Sequence, residues 1–169
     1  MTLVPEIVTV AQKKDEKFLR KKTVPFDFKK FTKKDINELV MRMRRIMYVA
    51  NGIGLSANQI NLNFAVFVAE VPDAKGGTKF YAVFNPKIEK MENGIISFEE
   101  GCLSIPGKWG EVERAERIVL SGFNKMGKPV KVKAWGLLAR VFQHEVDHLN
   151  GRLFIDRAKK IFSAEQTTD

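Results

Sequence analysis

Cysteine and histidine are scarce in this chain of 169 residues, which contains one cysteine and two histidines. A single cysteine cannot form an internal disulfide bond, which fits the reducing environment of the cytosol. No run of about 18 apolar residues occurs, so no transmembrane helix is predicted. The N-terminus has neither the basic start nor the apolar core of a signal peptide, and no transit peptide is visible. These absences predict a cytoplasmic protein with no membrane partner.

The chain also lacks internal repeats, low-complexity tracts and linkers rich in proline or serine. Its hydrophobic content of 44% and charged content of 29% are ordinary for a globular protein. A chain of this length can bury a substantial core as one unit. We therefore expect a single domain over residues 1–169.

Positive charge is in excess, with a formal net charge of +9. This excess either forms a solvated face or attracts an anionic partner such as RNA or the ribosome. No recognised nucleic-acid motif accompanies it, so no specific nucleic-acid partner is predicted. Much of the excess lies early in the chain, at Lys13, Lys14, Lys17, Arg20, Lys21, Lys22, Lys29, Lys30, Lys33 and Lys34.

Two helices are predicted from periodicity and capping residues. The first runs from about residue 32 to 48, with Thr32 as its N-cap and Asp35 as the capping-box partner. The second runs from about residue 136 to 149, and Gly151 is placed to end it. Between them the chain is mainly strand-like, with Pro86 expected to end one strand and Asn93-Gly94 expected to form a hairpin turn. The predicted fold class is α+β, with antiparallel strands around the second helix.

Both histidines lie in that second helix, within Gln-His-Glu-Val-Asp-His at residues 143–148. His144 and His148 are four residues apart and therefore share one helix face. This spacing allows them to bind one divalent metal, while Glu145 reaches a water molecule at the metal. The alternative is a pair of core histidines satisfied by ordinary hydrogen bonds.

Cys102 is a candidate third ligand, because Gly101 before it allows a close backbone approach. Cys-His-His ligation would leave one coordination position open, which is typical of catalytic rather than structural metal sites. The amide of Leu103 could then point at an oxygen on the metal, and Gln59 could place its carboxamide beside it. The alternative for Cys102 is a small buried hydrophobic residue.

Three segments in this order, at residues 52–59, 100–104 and 143–151, match the patterns GxGLxAxQ, EGCLS and QHExDHLxG. Together they resemble peptide deformylases of the bacterial and organellar branch, and the resemblance covers roughly residues 5–160. It implies the peptide deformylase fold around the HExxH helix. It also implies a hydrolase that removes the N-formyl group from the initiator methionine of new polypeptides and releases formate.

The resemblance also implies roles for individual residues. Cys102, His144 and His148 would hold one divalent metal, usually Fe²⁺ in this family, with Zn²⁺, Ni²⁺ or Co²⁺ as other occupants. Glu145 would move the proton between water and the leaving amine. The side chain of Gln59 and the backbone N–H of Leu103 would stabilise the developing oxyanion.

Substrate binding is implied more broadly. An N-formylmethionyl nascent peptide would add as a strand along Ile53-Gly54 and Gly101. Trp109 would be either a platform for a substrate side chain or a loop anchor, and Ser56 stands where alanine is common. The long C-terminal helix with which some members dock on the ribosome is not expected, so weak ribosome association would rest on the basic surface. The methionine pocket would be formed by Gly52, Ile53, Phe98, Arg140 and Val141.

Two other functions fit parts of the pattern. A zinc endopeptidase shares the HExxH helix, but it usually takes its third ligand from a histidine or glutamate further along, and this chain has no third histidine. A non-catalytic peptide-end binder would be expected to have lost a metal ligand or the glutamate. Neither loss is seen in the sequence.

Overall fold

The computed structural model describes residues 6–163. Its helices are α1 (Lys13–Leu19), α2 (Lys33–Val49) and α3 (Gly136–Leu149), joined by short 3-10 turns at Phe28–Lys30, Ala57–Ile60 and Phe154–Asp156. Its strands are β1 (Gly54–Ser56), β2 (Val66–Pro72), β3 (Thr78–Cys102), β4 (Ile105–Phe123), β5 (Pro129–Trp135) and β6 (Lys160–Ser163). The predictions about residues 1–5 and about the last six residues lie outside this range.

The strands form one antiparallel sheet in the order β1-β2-β3-β4-β5, and β6 pairs with the beginning of β4. Buried side chains of β2 alternate between two clusters, with Val66 and Val68 beside α2, and Phe67 and Ala69 beside α3. A strand covered on both faces reads as a continuous apolar run, which explains the sequence of β2. The predicted α+β class is confirmed. Within residues 6–163, no helix is long and apolar enough to cross a membrane.

Both predicted helices are confirmed within one residue at each end. The N-terminus of α2 has the predicted capping box: the N–H of Asp35 donates to Thr32 Oγ1, and the N–H of Thr32 donates to Asp35 Oδ2, at 3.1 and 2.8 Å. After α3 the chain turns at Gly151, where φ is +72°. The predictions missed α1 in the basic N-terminal segment, and the short strands β1 and β6.

The predicted hairpin turn at Asn93-Gly94 is wrong. Strand β3 continues through this position to Cys102, and only the pairing register with β4 shifts between Glu92 and Ile95. Gly94 has a φ of +60°, which suits a bulge as well as a turn. The chain reverses instead between Cys102 and Ile105, so the hairpin turn of β3 and β4 presents the cysteine.

Pro86 does not end a strand either. Strand β3 passes through it with a second register shift, between Phe84 and Lys87. A bulge tolerates proline because an irregular position does not need the missing N–H. Asn85 adopts a φ of +49° there, and its side chain exchanges hydrogen bonds with the backbone of Phe26.

Candidate metal centre

Three potential metal ligands meet where the β3–β4 turn packs against α3. Cys102 Sγ lies 3.1 Å from His148 Nε2, which lies 3.2 Å from His144 Nε2. All three donor atoms fall within 4.8 Å of one another. The helix places both imidazoles on one face, and the hairpin turn brings the sulfur to them.

The chemistry of this donor set fits a divalent cation. Bonds of about 2.0–2.3 Å to a tetrahedral ion would separate its ligand atoms by roughly 3.3–3.7 Å, slightly more than the 3.1 and 3.2 Å of the two contacts at His148 Nε2. Burial lowers the pKa of His148 well below its ordinary value, which favours the neutral imidazole that metals bind. Burial opposes a charge on His144 as well, but hydrogen bonds with Cys102 and Glu100 raise its pKa well above the ordinary value. A cation would therefore displace a proton from this ring on binding.

Behind the ligands lies a buried group of charged side chains. Glu100 accepts a hydrogen bond from His144 Nδ1 at 3.0 Å and two from Arg114, both at 2.9 Å. Arg114 also donates to Asp147 at 2.5 Å, and Asp147 accepts two further bonds from Arg157. Burial works against charge on Glu100, but the bonds from Arg114 and His144 lower its pKa to about 2. A carboxylate on the second ring nitrogen fixes the orientation of a ligating histidine.

Sequence reasoning did not assign a role to this group. Glu100 was visible in the EGCLS segment and Asp147 in the helix, but only as parts of motifs. Arg114 carried one usable signal: it lies on the buried face of the alternating strand β4, where a charge needs a partner.

Glu145 points from α3 toward β1. Its side chain is buried, and Oε2 accepts a hydrogen bond from Ser56 Oγ at 2.7 Å. Burial raises the pKa of Glu145 above its ordinary value. A Cβ at Gly54 would lie 2.3 Å from Glu145 Oε1, so the missing side chain of Gly54 makes room for the carboxylate.

Gln59 lies beside Cys102 and is also buried. The backbone N–H of Ser56 donates to Gln59 Oε1 at 2.9 Å, which leaves Nε2 to donate to Ser104 Oγ at 3.1 Å. The same Nε2 lies 3.7 Å from Cys102 Sγ. The amide donor of Gln59 is thereby oriented toward the metal ligands.

A cavity of about 370 Å³ opens in front of these groups. Cys102, His144, Glu145 and Gln59 line it, while His148 is buried and is not among the lining residues. Phe98 is not part of the lining, although its ring lies 3.4 Å from the guanidinium carbon of Arg140. Leu137 and Lys108 line the cavity without having been predicted. The predicted residues Gly52, Ile53, Gly54, Gly101, Leu103, Trp109, Arg140 and Val141 all line it.

The polypeptide deformylase family matches residues 5–163, almost the whole chain. The chain belongs to the peptide deformylase family. The peptide deformylase of Elusimicrobium minutum is 43% identical over 148 residues, a match that covers 85% of this chain and 83% of that protein. The resemblance inferred from the three motifs is therefore confirmed, and with it the expectation of a metal-dependent hydrolase.

Solved peptide deformylases share the fold. The structure from Thermotoga maritima is 35% identical, with a TM-score of 0.79, and the match covers 91% of this chain and 97% of that one. A class I type b peptide deformylase from Acinetobacter baumannii, solved with Met-Ala-Ser bound, is 29% identical with a TM-score of 0.80. That match covers 93% of this chain and 99% of the other.

Proposed function

We propose that the chain hydrolyses the N-formyl group of the initiator methionine of new polypeptides and releases formate, using the site around Cys102. The observation that carries this proposal is the meeting of three metal donors, a buried carboxylate and an oriented amide beside one cavity, which four of these five side chains line. Family membership supports the same reaction. Because its substrates are nascent chains, we place the protein in the cytoplasm and treat residues 1–169 as one working domain.

Cys102, His144 and His148 would hold the metal. A divalent cation at this site would polarise the formyl carbonyl and lower the pKa of water toward neutrality. Cysteine and histidine ligands suit iron and zinc alike. We propose Fe²⁺ as the native ion from the resemblance to the family, with Zn²⁺, Ni²⁺ and Co²⁺ as occupants that the same donors can bind.

Glu145 is the proposed general base and acid. Its carboxylate borders the cavity next to the metal ligands, where it can take a proton from the attacking water and later pass it to the leaving amine. Burial raises the pKa of Glu145, which brings it closer to neutrality and so helps a group that must both accept and release a proton.

Gln59 and Leu103 are the proposed donors to the oxyanion. The side-chain oxygen of Gln59 accepts from the backbone of Ser56, so its amide hydrogens face Cys102 and Ser104. The backbone N–H of Leu103 belongs to the same hairpin turn as Cys102. Donors fixed in this way require little reorganisation as charge develops, and loss of one typically lowers kcat by about 10²–10³.

The substrate peptide would lie along Ile53-Gly54 on one side and Gly101 on the other. Hydrogen bonds to the backbone of an added strand do not depend on its side chains, so they allow peptides of any sequence to bind, as an enzyme that acts on nascent chains in general requires. A Cβ at Gly101 would approach the ring of Trp109 to 3.0 Å, so Trp109 packs flat beside this path. We propose that Trp109 is a platform for a substrate side chain. That a relative from Acinetobacter baumannii binds Met-Ala-Ser supports a peptide as the substrate.

Weak association with the ribosome is a further part of the proposal. The side chains of Lys13, Lys14, Lys21 and Lys22 are exposed near α1. Phosphate contacts by such residues predict binding that weakens steeply as salt concentration rises.

The deciding experiment is formate release by anaerobically purified protein of measured metal content. N-formyl-Met-Ala-Ser should be turned over rapidly and N-acetyl-Met-Ala-Ser should not. Chelation should abolish release, and readdition of Fe²⁺ should restore it. If protein with a stoichiometric metal released no formate from the formyl peptide, the proposal would be refuted. Cleavage of internal peptide bonds would indicate an endopeptidase instead.

A further inference from the structure

Ser56 lies between the two groups to which the proposed function assigns chemistry. It is the last residue of β1, and its exposed fraction is 0%. Its backbone N–H donates to Gln59 Oε1, and its hydroxyl lies 2.7 Å from Glu145 Oε2. A single residue thus contacts both side chains without lining the cavity itself.

The hydroxyl has two acceptors within reach, both on Glu145. The carboxylate oxygen is at 2.7 Å and the backbone oxygen at 3.1 Å. The shorter contact leads to a charged acceptor, and hydrogen bonds to charged groups are the stronger kind. Among residues 6–163, no other side chain donates a hydrogen bond to this carboxylate.

The other carboxylate oxygen is confined by shape. A Cβ on Gly54 would lie 2.3 Å from Glu145 Oε1, so the carboxylate is held between the Ser56 hydroxyl and the backbone of Gly54. The terminal torsion of a glutamate is otherwise broad, so little else in the side chain would fix the plane of the carboxylate.

We propose that Ser56 is a positioning residue for the deformylase reaction: its hydroxyl holds Glu145 Oε2 so that Oε1 is presented to the cavity for proton transfer. This inference rests on the proposed function. Ser56 does not line the cavity, and it acts through Glu145. Alanine is common at this position in the family, so the hydroxyl is a feature of this chain, and its loss is expected to slow the reaction rather than abolish it. Its loss should therefore lower kcat through misplacement of the base, while peptide binding and metal binding are retained.

The test is the Ser56→Ala variant, assayed for formate release from N-formyl-Met-Ala-Ser. We expect kcat to fall about tenfold, with KM and metal content within about twofold of wild type. Ser56→Thr, which restores a hydroxyl, should recover most of the loss. Ser121→Ala is the matched control, because Ser121 donates an equally short bond of 2.7 Å to Glu89 Oε1 at an exposed site. That variant should match wild type.

A double-mutant cycle with Glu145→Ala shows whether the effect passes through the carboxylate. Adding Ser56→Ala to Glu145→Ala should leave the residual rate unchanged. The inference would be overturned if Ser56→Ala lowered kcat equally in the wild-type and Glu145→Ala proteins, or if Ser56→Ala alone left kcat unchanged. The proposed function would still stand in either case, provided that the wild-type protein releases formate. A wild-type protein that releases no formate would overturn both the inference and the proposed function.

Discussion

Replacing Arg114 with methionine removes one charge from the buried group behind the metal ligands. Arg114 is only 5% exposed, and its guanidinium donates two bonds of 2.9 Å to Glu100 and one of 2.5 Å to Asp147. Methionine occupies much of the space of the arginine stem without its donors. The variant therefore tests electrostatics more than packing.

Glu100 and Asp147 do not lose the same share of their hydrogen bonds when Arg114 is replaced. Asp147 keeps two bonds from Arg157, at 2.6 and 2.9 Å, whereas the only side-chain bond that Glu100 keeps within residues 6–163 is the one from His144. Breaking a buried ion pair by removing one partner costs about 3–5 kcal/mol, because the remaining charge is uncompensated. For a domain of this size, each kcal/mol lowers Tm by about 2–4 °C, so we expect a decrease of roughly 6–20 °C.

Metal affinity should fall as well. Glu100 would no longer be held in place, and it orients His144 through the ring nitrogen that faces away from the metal donors. Changes to such supporting partners typically cost about 10–100-fold in metal affinity or activity.

Urea unfolding, followed with and without saturating metal, measures the first effect, and competition with a chromophoric chelator measures the second. Arg45→Met is the control, since its ion pair with Glu6 is at the surface and the arginine side chain is 63% exposed. Such a pair contributes at most about 1 kcal/mol. An Arg114→Met protein within about 1 kcal/mol of wild type would refute the argument from buried charge.

Three further outcomes are expected. Glu145→Gln should lower kcat by at least about 100-fold with metal content unchanged, and undiminished formate release would exclude the proton-transfer role. Gly54→Ala places a Cβ 2.3 Å from Glu145 Oε1, so we expect about a 100-fold loss of kcat, and wild-type kcat would show that the position of the carboxylate is not critical. The folded-state pKa of Glu100 is lowered from 4.5 to about 2, so its stabilisation is present above pH 4.5 and is lost as pH falls toward 2. The free energy of unfolding of wild type should fall more steeply over that interval than that of Glu100→Gln, and parallel curves would contradict the assignment.

The parts of the site that sequence could predict are those set by local chemistry. The helical spacing of His144 and His148 defines a shared face wherever the helix lies, and the Thr32 capping box marks a helix start without tertiary information. Cys102 was a candidate ligand from its local sequence, but the choice against a buried hydrophobic role needed the resemblance, because its approach to α3 depends on where β3 turns.

The errors arose where local signals have two structural meanings. Asn93-Gly94 suits a hairpin turn, but it equally suits a bulge in a strand whose continuity is set by pairing with β4. Arg114 could not be connected to its partners, since Glu100 lies 14 residues away and Asp147 lies 33 residues away. Only the sheet and α3 together bring these charges into contact.

The same contacts determine which properties of the site should change together. Arg114 joins β3 to α3 through Glu100 and Asp147, and those two elements carry all three metal donors. Perturbing this connection should therefore change folding stability and metal affinity in parallel, because binding a metal to the folded site is itself folding free energy. Ser56 and Gly54 instead meet α3 at Glu145, which is not a metal ligand, so their variants should change kcat with metal affinity preserved. A Ser56→Ala protein that loses metal, or an Arg114→Met protein that keeps it, would show that the two halves of the site are not separable in this way.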